Sequence, residues 1–559
     1  TDHYLDVPLE ALGEPLANGF RFLHNSSCFP RKGVDALLAA YGRYFSGRSD
    51  VVLIIKTFPN PHNDIAARVA DFRAQFPAAP AVQLLRGDLS DGQMASLYAN
   101  CQALVAPSRG EGFGLPLAEA MLRGIPVIAT AYGGQMDFCS EETAYLVDYR
   151  FTYSQSHFEE PASIWVDPDV DALGKAMLEV IDGDVGKRQS RTAKARELLM
   201  QRFTWDAVAG RQSRAIAEIE AAPLGELLVA VRTAWISTWE TRCGIASYSE
   251  FLTRGWHKDR LWVLADQQEA APENLPNVRR CWRQGSADAG KQLLDAVLAL
   301  DIDAAVIQYN FGFYPLQALA ELVEGLVNRG KVCLLTLHAT KDVDKPDFKA
   351  SLGDIRDTLA RCTRILVHSL ADCNRLKQFG LVDNVTLFPH GAPAPQSLPA
   401  RTRRGQFTVG TFGYALPHKG LREVIEACAL LRQRGLDVAL RMLNSRYPAA
   451  QSDEEIAACR ALIASMLDDK HAEFDDAFHS DMEIEETLGR CDLLVFAYQE
   501  TEESASGAIR VAMSAGVPIL CTPLEIFDDV ASAVDFSMES TPVALSASIA
   551  GFIDDASRG

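Results

Sequence analysis

The sequence predicts an α/β protein built from doubly wound, Rossmann-like lobes with parallel sheets. Three observations carry this: short Val-, Ile- and Leu-rich runs recur along the chain, helix-period stretches lie between them, and one such pattern occurs twice. The runs are "VVLIIKTF" (51–58), "ALVAPS" (103–108), "IPVIAT" (125–130), "AAVIQYN" (304–310), "VCLLTLH" (332–338), "RILVHS" (364–369), "DLLVFAY" (492–498) and "VPILCT" (517–522). They do not alternate apolar with polar, which is the pattern of strands buried on both faces. Strands alternating with helices give the doubly wound order.

The repetition sets the domain plan. "FPRKGVDALLAAYGRYF" near residue 30 matches "LPHKGLREVIEACALL" near 417. "SLYANCQALVAPSRGEGFGLPLAEAMLRGIPVIAT" matches "ETLGRCDLLVFAYQETEESASGAIRVAMSAGVPILCT". Lys32 and Lys419 are 387 positions apart and Glu111 and Glu503 are 392 apart, a near-constant offset that marks one domain present twice. We expect a first lobe over 1–220, a linker at 221–226 ("AAPLGE"), a different α/β lobe over 227–395 opening with "LLVAVRTAWIS", and the second copy over 396–559. The prolines of "PAPQSLPARTRRG" (393–405) make that stretch a loop. This is one orphan lobe followed by a nearly complete two-lobe unit.

Composition excludes some function classes. A formal charge of −20 argues against nucleic-acid binding, which needs a basic surface. The cations of "GKRQSRTAKAR" (186–196) recur at helical spacing and read as a solvated helix face. Twelve cysteines lie scattered, mostly inside apolar runs and without metal-type spacing, as reduced core residues of a cytosolic protein do. No run has the length of a membrane span, and no signal peptide is expected.

The stretch "SRGEGFGLPLAEAM" (108–121) carries the most chemistry. Gly112 and Gly114 allow a tight turn close to a ligand. Pro116 suits a first helical turn, and Gly124 ends that helix before "IPVIAT". The N–H groups at the helix start then form an anion site suited to a diphosphate. Glu111 lies before the turn and Glu119 about one turn into the helix, so the two carboxylates are spaced along a ligand and not stacked as a metal pair. One such glutamate alone reads more readily as a solvated or capping residue; the whole string is more specific.

"EGFGLPLAEAM", with its E-x7-E spacing, "GIPVIAT" behind it and "FPRKG" ahead of it, resembles the retaining glycosyltransferases of family 4, which have the GT-B fold. "YGGQMDFCSEETAYLVDY", "SIWVDPDVDAL" and "FTWDAVAGR" (203–211) are similar to the downstream part of mannosyl- or rhamnosyltransferases that build bacterial surface polysaccharides. The resemblance implies that Glu111 contacts the donor sugar, Glu119 holds the ribose of a nucleotide-sugar, and Lys32 neutralises its diphosphate, with Arg31 substituting for an arginine that relatives carry at the position of Ser27. Gly112, Phe113, Gly114 and Leu115 complete the donor turn. A carboxylate can accept from both ribose hydroxyls, and a cation stabilises the departing diphosphate.

For the two-lobe unit the resemblance implies an acceptor side in 227–395 and a donor side in 396–559. "TRCGIASYS" places Gly244 in a loop facing the donor, and "TLHAT" places His338 at a strand end near the transferred sugar. A lone histidine is more often structural, but the carboxyl end of a parallel strand is where such sheets bind ligands. Lys419 keeps the basic position, with Tyr414 where an arginine is common. Glu503 aligns with Glu111, Ser504, Ser506 and Gly507 offer a small turn, Val511 replaces Glu119, and Arg510 lies beside it. We assign Glu111, Glu503 and His338 as catalytic candidates and the other named glycines, serines and cations as donor-binding ones.

The expected reaction transfers a sugar, mannose or rhamnose from a GDP donor, to a growing glycan or lipid-linked glycan with retention of configuration. By resemblance no metal or other cofactor is needed, and no Asp-x-Asp triplet sits at a strand end; "FDD" at 474–476 and 527–529 reads as surface or loop acids. The location expected is the cytoplasm, with peripheral attachment to the inner membrane face through a longer protein. Both ends read as cut from such a protein: the chain starts at Thr1, the first copy lacks a partner lobe, and "GFIDDASRG" ends the second without a counterpart of "FTWDAVAGR". The alternative is that the Val511 unit is a degenerate binding or scaffold module. A dinucleotide-dependent oxidoreductase is disfavoured, since no strand is followed by G-x-G-x-x-G and a later acid.

Overall fold

The computed structural model describes residues 5–558 apart from 157, 159, 161–162, 222–230, 269–275, 347, 395–405 and 468–469. The expected linker beyond Ala221 and the proline loop from residue 395 lie outside the described residues. The chain divides into two compact units, Thr1–Leu227 and Leu228–Gly559.

The first unit holds a six-stranded parallel sheet. Its strands are β1 (Phe20–Asn25), β2 (Val51–Thr57), β3 (Val82–Arg86), β4 (Ala103–Ala106), β5 (Val127–Thr130) and β6 (Tyr145–Val147), in the order β3-β2-β1-β4-β5-β6. Every residue of β2 is buried, because helices cover both faces. Phe22 belongs to the core on one side of the sheet and Leu23 to the core on the other. An antiparallel ribbon, β7 (Tyr149–Tyr153) and β8 (Ile164–Pro168), follows. The basic stretch 186–196 lies in helix Val185–Arg202, where only Ala195 and Leu199 are buried.

The second unit holds two sheets. The first has β9 (Thr233–Ser237), β10 (Leu261–Asp266), β11 (Val278–Trp282), β12 (Ala304–Tyr309), β13 (Val332–Leu337), β16 (Arg364–Val367) and β17 (Val385–Leu387), all parallel, in the order β11-β10-β9-β12-β13-β16-β17. A small hairpin, β14 (Val343–Lys345) with β15 (Phe348–Ala350), interrupts it. The run "LLVAVRTAWIS" is shorter as a strand than the sequence suggests: among its described residues, pairing starts at Thr233. The second sheet has β18 (Phe407–Tyr414), β19 (Val438–Ser445), β20 (Ala472–Asp475), β21 (Leu493–Phe496), β22 (Ile519–Cys521) and β23 (Asp535–Phe536), in the order β20-β19-β18-β21-β22-β23.

That order is the order of the first unit's sheet, and the register agrees. Phe20 pairs with Val51 as Phe407 pairs with Val438. The same capping box opens helices Asp91–Ala99 (Ser90, Gln93) and Asp481–Gly489 (Ser480, Glu483). In both copies a short 3-10 turn delivers the lysine and ends on a left-handed glycine, Gly33 (φ 67°) and Gly420 (φ 65°). A Cβ there would lie 1.9 Å from the Pro107 carbonyl oxygen or 1.7 Å from that of Ala497, so only glycine fits. All twelve cysteines are free thiols, ten of them buried.

Candidate functional site

In the first unit, the chain leaves β1 at Asn25 and turns through Pro30–Lys32, which puts Lys32 against the carboxylate of Glu111. Arg31 lies 3.7 Å from the same carboxylate and donates to the Gly110 carbonyl at 3.1 Å. Ser108 donates its hydroxyl to Glu111 at 2.8 Å. Gly114 takes a left-handed conformation (φ 87°) and starts helix Leu115–Leu122 with no side-chain cap. The N–H groups of the first turn therefore keep the electropositive end of the helix at the surface of this turn.

Two residues of this turn differ in what holds them. Gly112 has a negative φ and open space around a Cβ, so this turn requires glycine at Gly114 and not at 112. Phe113 turns inward: its ring lies 5.0 Å from Phe138 and 5.8 Å from Phe203, so its side chain belongs to the core. Leu115 is exposed beside the turn.

Several residues that frame this site were not picked out from the sequence. The buried Arg109 guanidinium donates to both oxygens of Asp35 (2.8 and 2.7 Å), to Asp167 (3.0 Å) and to the Pro30 carbonyl (2.8 Å). Burial alone would weaken its charge, but Asp35 and Asp167 hold its pKa above the usual range. It thus ties the lysine turn, the following helix and the β8 ribbon to the glutamate turn. The Gly134 N–H donates to the Glu111 carbonyl at 2.9 Å, which braces the turn from the β5 side. Asn25 donates to the Tyr98 hydroxyl at 3.1 Å, and Tyr98 donates to Glu119 at 2.7 Å.

In the second unit, the two lobes enclose a cavity of about 810 Å³. Gly244, His338, Lys419, Glu503, Ser506, Gly507 and Arg510 all line it. Gly244 opens helix Gly244–Thr253 without a side-chain cap. His338 follows β13, donates Nε2–H to Gln308 at 2.8 Å and lies 3.2 Å from His368, with Tyr248 edge-on to both rings. Burial lowers the pKa of His338 well below the ordinary range, and the neighbouring imidazoles add to this. Burial likewise lowers His368 and brings His390 to about 4. Lys419 meets Glu503 at 3.2 Å and lies 4.0 Å from the centre of the Tyr498 ring. Burial opposes both charges, yet each holds the other ionised: Lys419 is raised and Glu503 lowered.

Three of the candidates are also held by groups outside the cavity lining or by its walls. Ser504 does not line the cavity; its hydroxyl donates to the buried Asp372 of the other lobe at 2.8 Å. Ser506 bonds to the Tyr498 hydroxyl at 2.9 Å and caps helix Gly507–Ser514 through Ile509 N–H. Arg510 is buried in an ion pair with Asp529. The acids of 527–529 are therefore not surface groups as a set: Asp529 is 3% exposed, and burial raises its carboxyl to about 6 against the pull of Arg510. Asp476, by contrast, pairs with Arg446 and Arg460 at the surface of β20. Among the described residues no group of three or more His, Cys, Asp or Glu side chains is set to hold a metal ion, and no helix is long and apolar enough to cross a membrane.

Residues 18–197, which contain this whole first-unit site, match the family model "Glycosyl transferases group 1". The chain is 27% identical over 208 residues to the MMP alpha-(1->4)-mannosyltransferase of Mycolicibacterium hassiacum, covering 35% of this chain and 43% of that one. It is 32% identical over 119 residues to the serotype-specific mannosyltransferase WbdA of Escherichia coli (21% and 14%), and 28% identical over 179 residues to the O-antigen chain mannosyltransferase B of Escherichia coli (32% and 40%). It spans less than half the length of these relatives. A solved structure of Anabaena HepE in complex with UDP and glucose is similar at 14% identity, with a TM-score of 0.45 over 59% of this chain and 91% of that one.

Proposed function

We propose that the chain is part of a retaining glycosyltransferase that moves a hexose, mannose in the first instance, from a GDP-sugar to a glycan or lipid-linked glycan in surface-polysaccharide assembly. The observation that carries this reading is the ion pair of Lys32 with Glu111 beside the turn at which Gly114 opens the helix that carries Glu119. The mannosyltransferase names of the relatives support the choice of sugar.

In this reading the diphosphate lies against Lys32 and the helix N–H groups, which stabilise it as it departs. It competes with Glu111 for the Lys32 ammonium, so binding would release that carboxylate toward the sugar. Glu119 accepts from the ribose hydroxyls. The acceptor hydroxyl attacks from the face the diphosphate leaves, which keeps the configuration, and no metal takes part. The work takes place in the cytoplasm, at the membrane face where lipid-linked acceptors are held.

Calorimetric titration with GDP, UDP, ADP and dTDP tests this. Tight binding of GDP, weakened about 10- to 100-fold in Glu119→Ala, is expected from the loss of hydrogen bonds to a charged group. No binding of any nucleotide would sink the reading.

A second reading concerns the second unit alone: a binding or scaffold module without its own turnover. The replacement of Glu119 by Val511, and the capping of the helix start by Ser506, favour it. Glu503→Ala in the intact enzyme should then leave the glycan product unchanged; a lost or shortened product would instead make this unit catalytic.

A further inference from the structure

We propose that Tyr98 and Asn25 are positioning residues for Glu119, and that the three act as one device for recognising a ribose diol. This rests on the reading of Glu119 as the ribose acceptor and adds two residues to it.

The chemistry of the chain of contacts has one consistent direction. An ionised carboxylate only accepts hydrogen bonds, so the Tyr98 hydroxyl donates to Glu119 Oε2 (2.7 Å). That hydroxyl's proton being spent, the Asn25 side chain must donate to it, as its Nδ2 does at 3.1 Å. Each donor polarises the next, so the carboxylate is held at one oxygen by a strengthened donor. The phenol cannot wander, because Tyr98 is fully buried on helix Asp91–Ala99. Asn25 is fixed as the last residue of β1. A glutamate on the first turns of a helix has several rotamers; this contact selects one. Each carboxylate oxygen can accept more than one hydrogen bond, so the contact does not compete with a diol.

The second copy of the domain supplies an independent observation. The matched strand registers place Phe412 where Asn25 stands. The matched capping boxes place Leu488 where Tyr98 stands. The matched helices Leu115–Leu122 and Gly507–Ser514 place Val511 where Glu119 stands. All three polar members are replaced by apolar ones, and those three pack in one hydrophobic cluster. Leu443, in the same cluster, takes the place of Lys56, the strand neighbour of Asn25. A tyrosine that served only to fill the core would have no reason to change together with a glutamate 21 positions away and an asparagine on another strand.

The test is the affinity ratio of GDP to 2′,3′-dideoxy-GDP for the full chain, with the UDP and ADP pairs run alongside. Wild type should prefer the diol by about 10-fold or more, and Glu119→Ala should lose the preference. Tyr98→Phe should cut it by about 3- to 10-fold with the dideoxy affinity unchanged, and Asn25→Val should cut it by about 2-fold. If Tyr98→Phe and Asn25→Val both keep the wild-type ratio while Glu119→Ala loses it, the positioning role is overturned and the ribose reading stands. If Glu119→Ala keeps the ratio, the ribose reading falls and this proposal with it. Should Tyr98→Phe fail to fold, Asn25→Val, at a half-buried strand end, carries the test alone.

Discussion

The two copies of the six-stranded lobe share a strand order, a pair of capping boxes, a left-handed glycine after the lysine and a lysine–glutamate ion pair. They differ in side chains near the carboxyl end of β1 and of β18. One copy has Asn25, Tyr98, Glu119 and an uncapped helix start at Gly114; the other has Phe412, Leu488, Val511 and a helix start capped by Ser506. The features that build the backbone are thus separable from the side chains set at this end of the sheet. A fold can be copied intact while one patch of side chains changes from polar to apolar as a group.

The largest expected effect tests the shared features. Gly33→Ala and Gly420→Ala each drive a Cβ into a backbone carbonyl and force a left-handed alanine. Each should cost about 3 kcal/mol or more in urea unfolding of its own unit, and a mild effect in either would break the claim that both copies need this turn.

The next prediction separates the units by pH. Burial lowers His338, His368, His390 and His418 in the second unit, the last two to about 4, and His24 in the first unit to about 4. These rings stay neutral in the fold, whereas the unfolded chain protonates them below about 6.5. Unfolding therefore takes up protons, and stability falls as the pH drops from about 6.5 toward 4. With four such rings against one, the second unit's thermal midpoint should fall more steeply over this window. Parallel decline of both units would count against the burial of the His338 cluster.

The smallest effect sharpens the comparison. Val511→Glu alone should leave nucleotide affinity within about 2-fold of wild type, because Leu488 and Phe412 cannot donate to the new carboxylate. Adding Leu488→Tyr and Phe412→Asn should raise the affinity for GDP above that of the single variant. Equal affinities would show that a carboxylate at this place needs no support.

Much of the plan was legible in the sequence, since apolar runs without alternation mark buried parallel strands and a constant offset marks a duplicated domain. The turns at Lys32 and Lys419 were legible because the glycines that end them, Gly33 and Gly420, are local. Tyr98 and Arg109 were not, although both stand inside quoted stretches: their partners lie 21 to 79 positions away, and nothing local tells a paired tyrosine from a core one. Comparing the two copies position by position for polar-to-apolar changes would have found Tyr98. The inward packing of Phe113 was not legible because its neighbours Phe138 and Phe203 come from distant elements. Asp529 was misread because an acid run looks solvated until its partner, Arg510, is placed against it.

The Arg109 clasp has a thermodynamic consequence. It joins the lysine turn, the helix after it and the β8 ribbon through one planar group, so the glutamate turn has little conformational freedom left to lose. Ordering such a loop on association ordinarily subtracts from affinity. Here that ordering is built into folding, and a ligand that reaches the turn meets a backbone already in place, with only the Lys32–Glu111 pair left to rearrange.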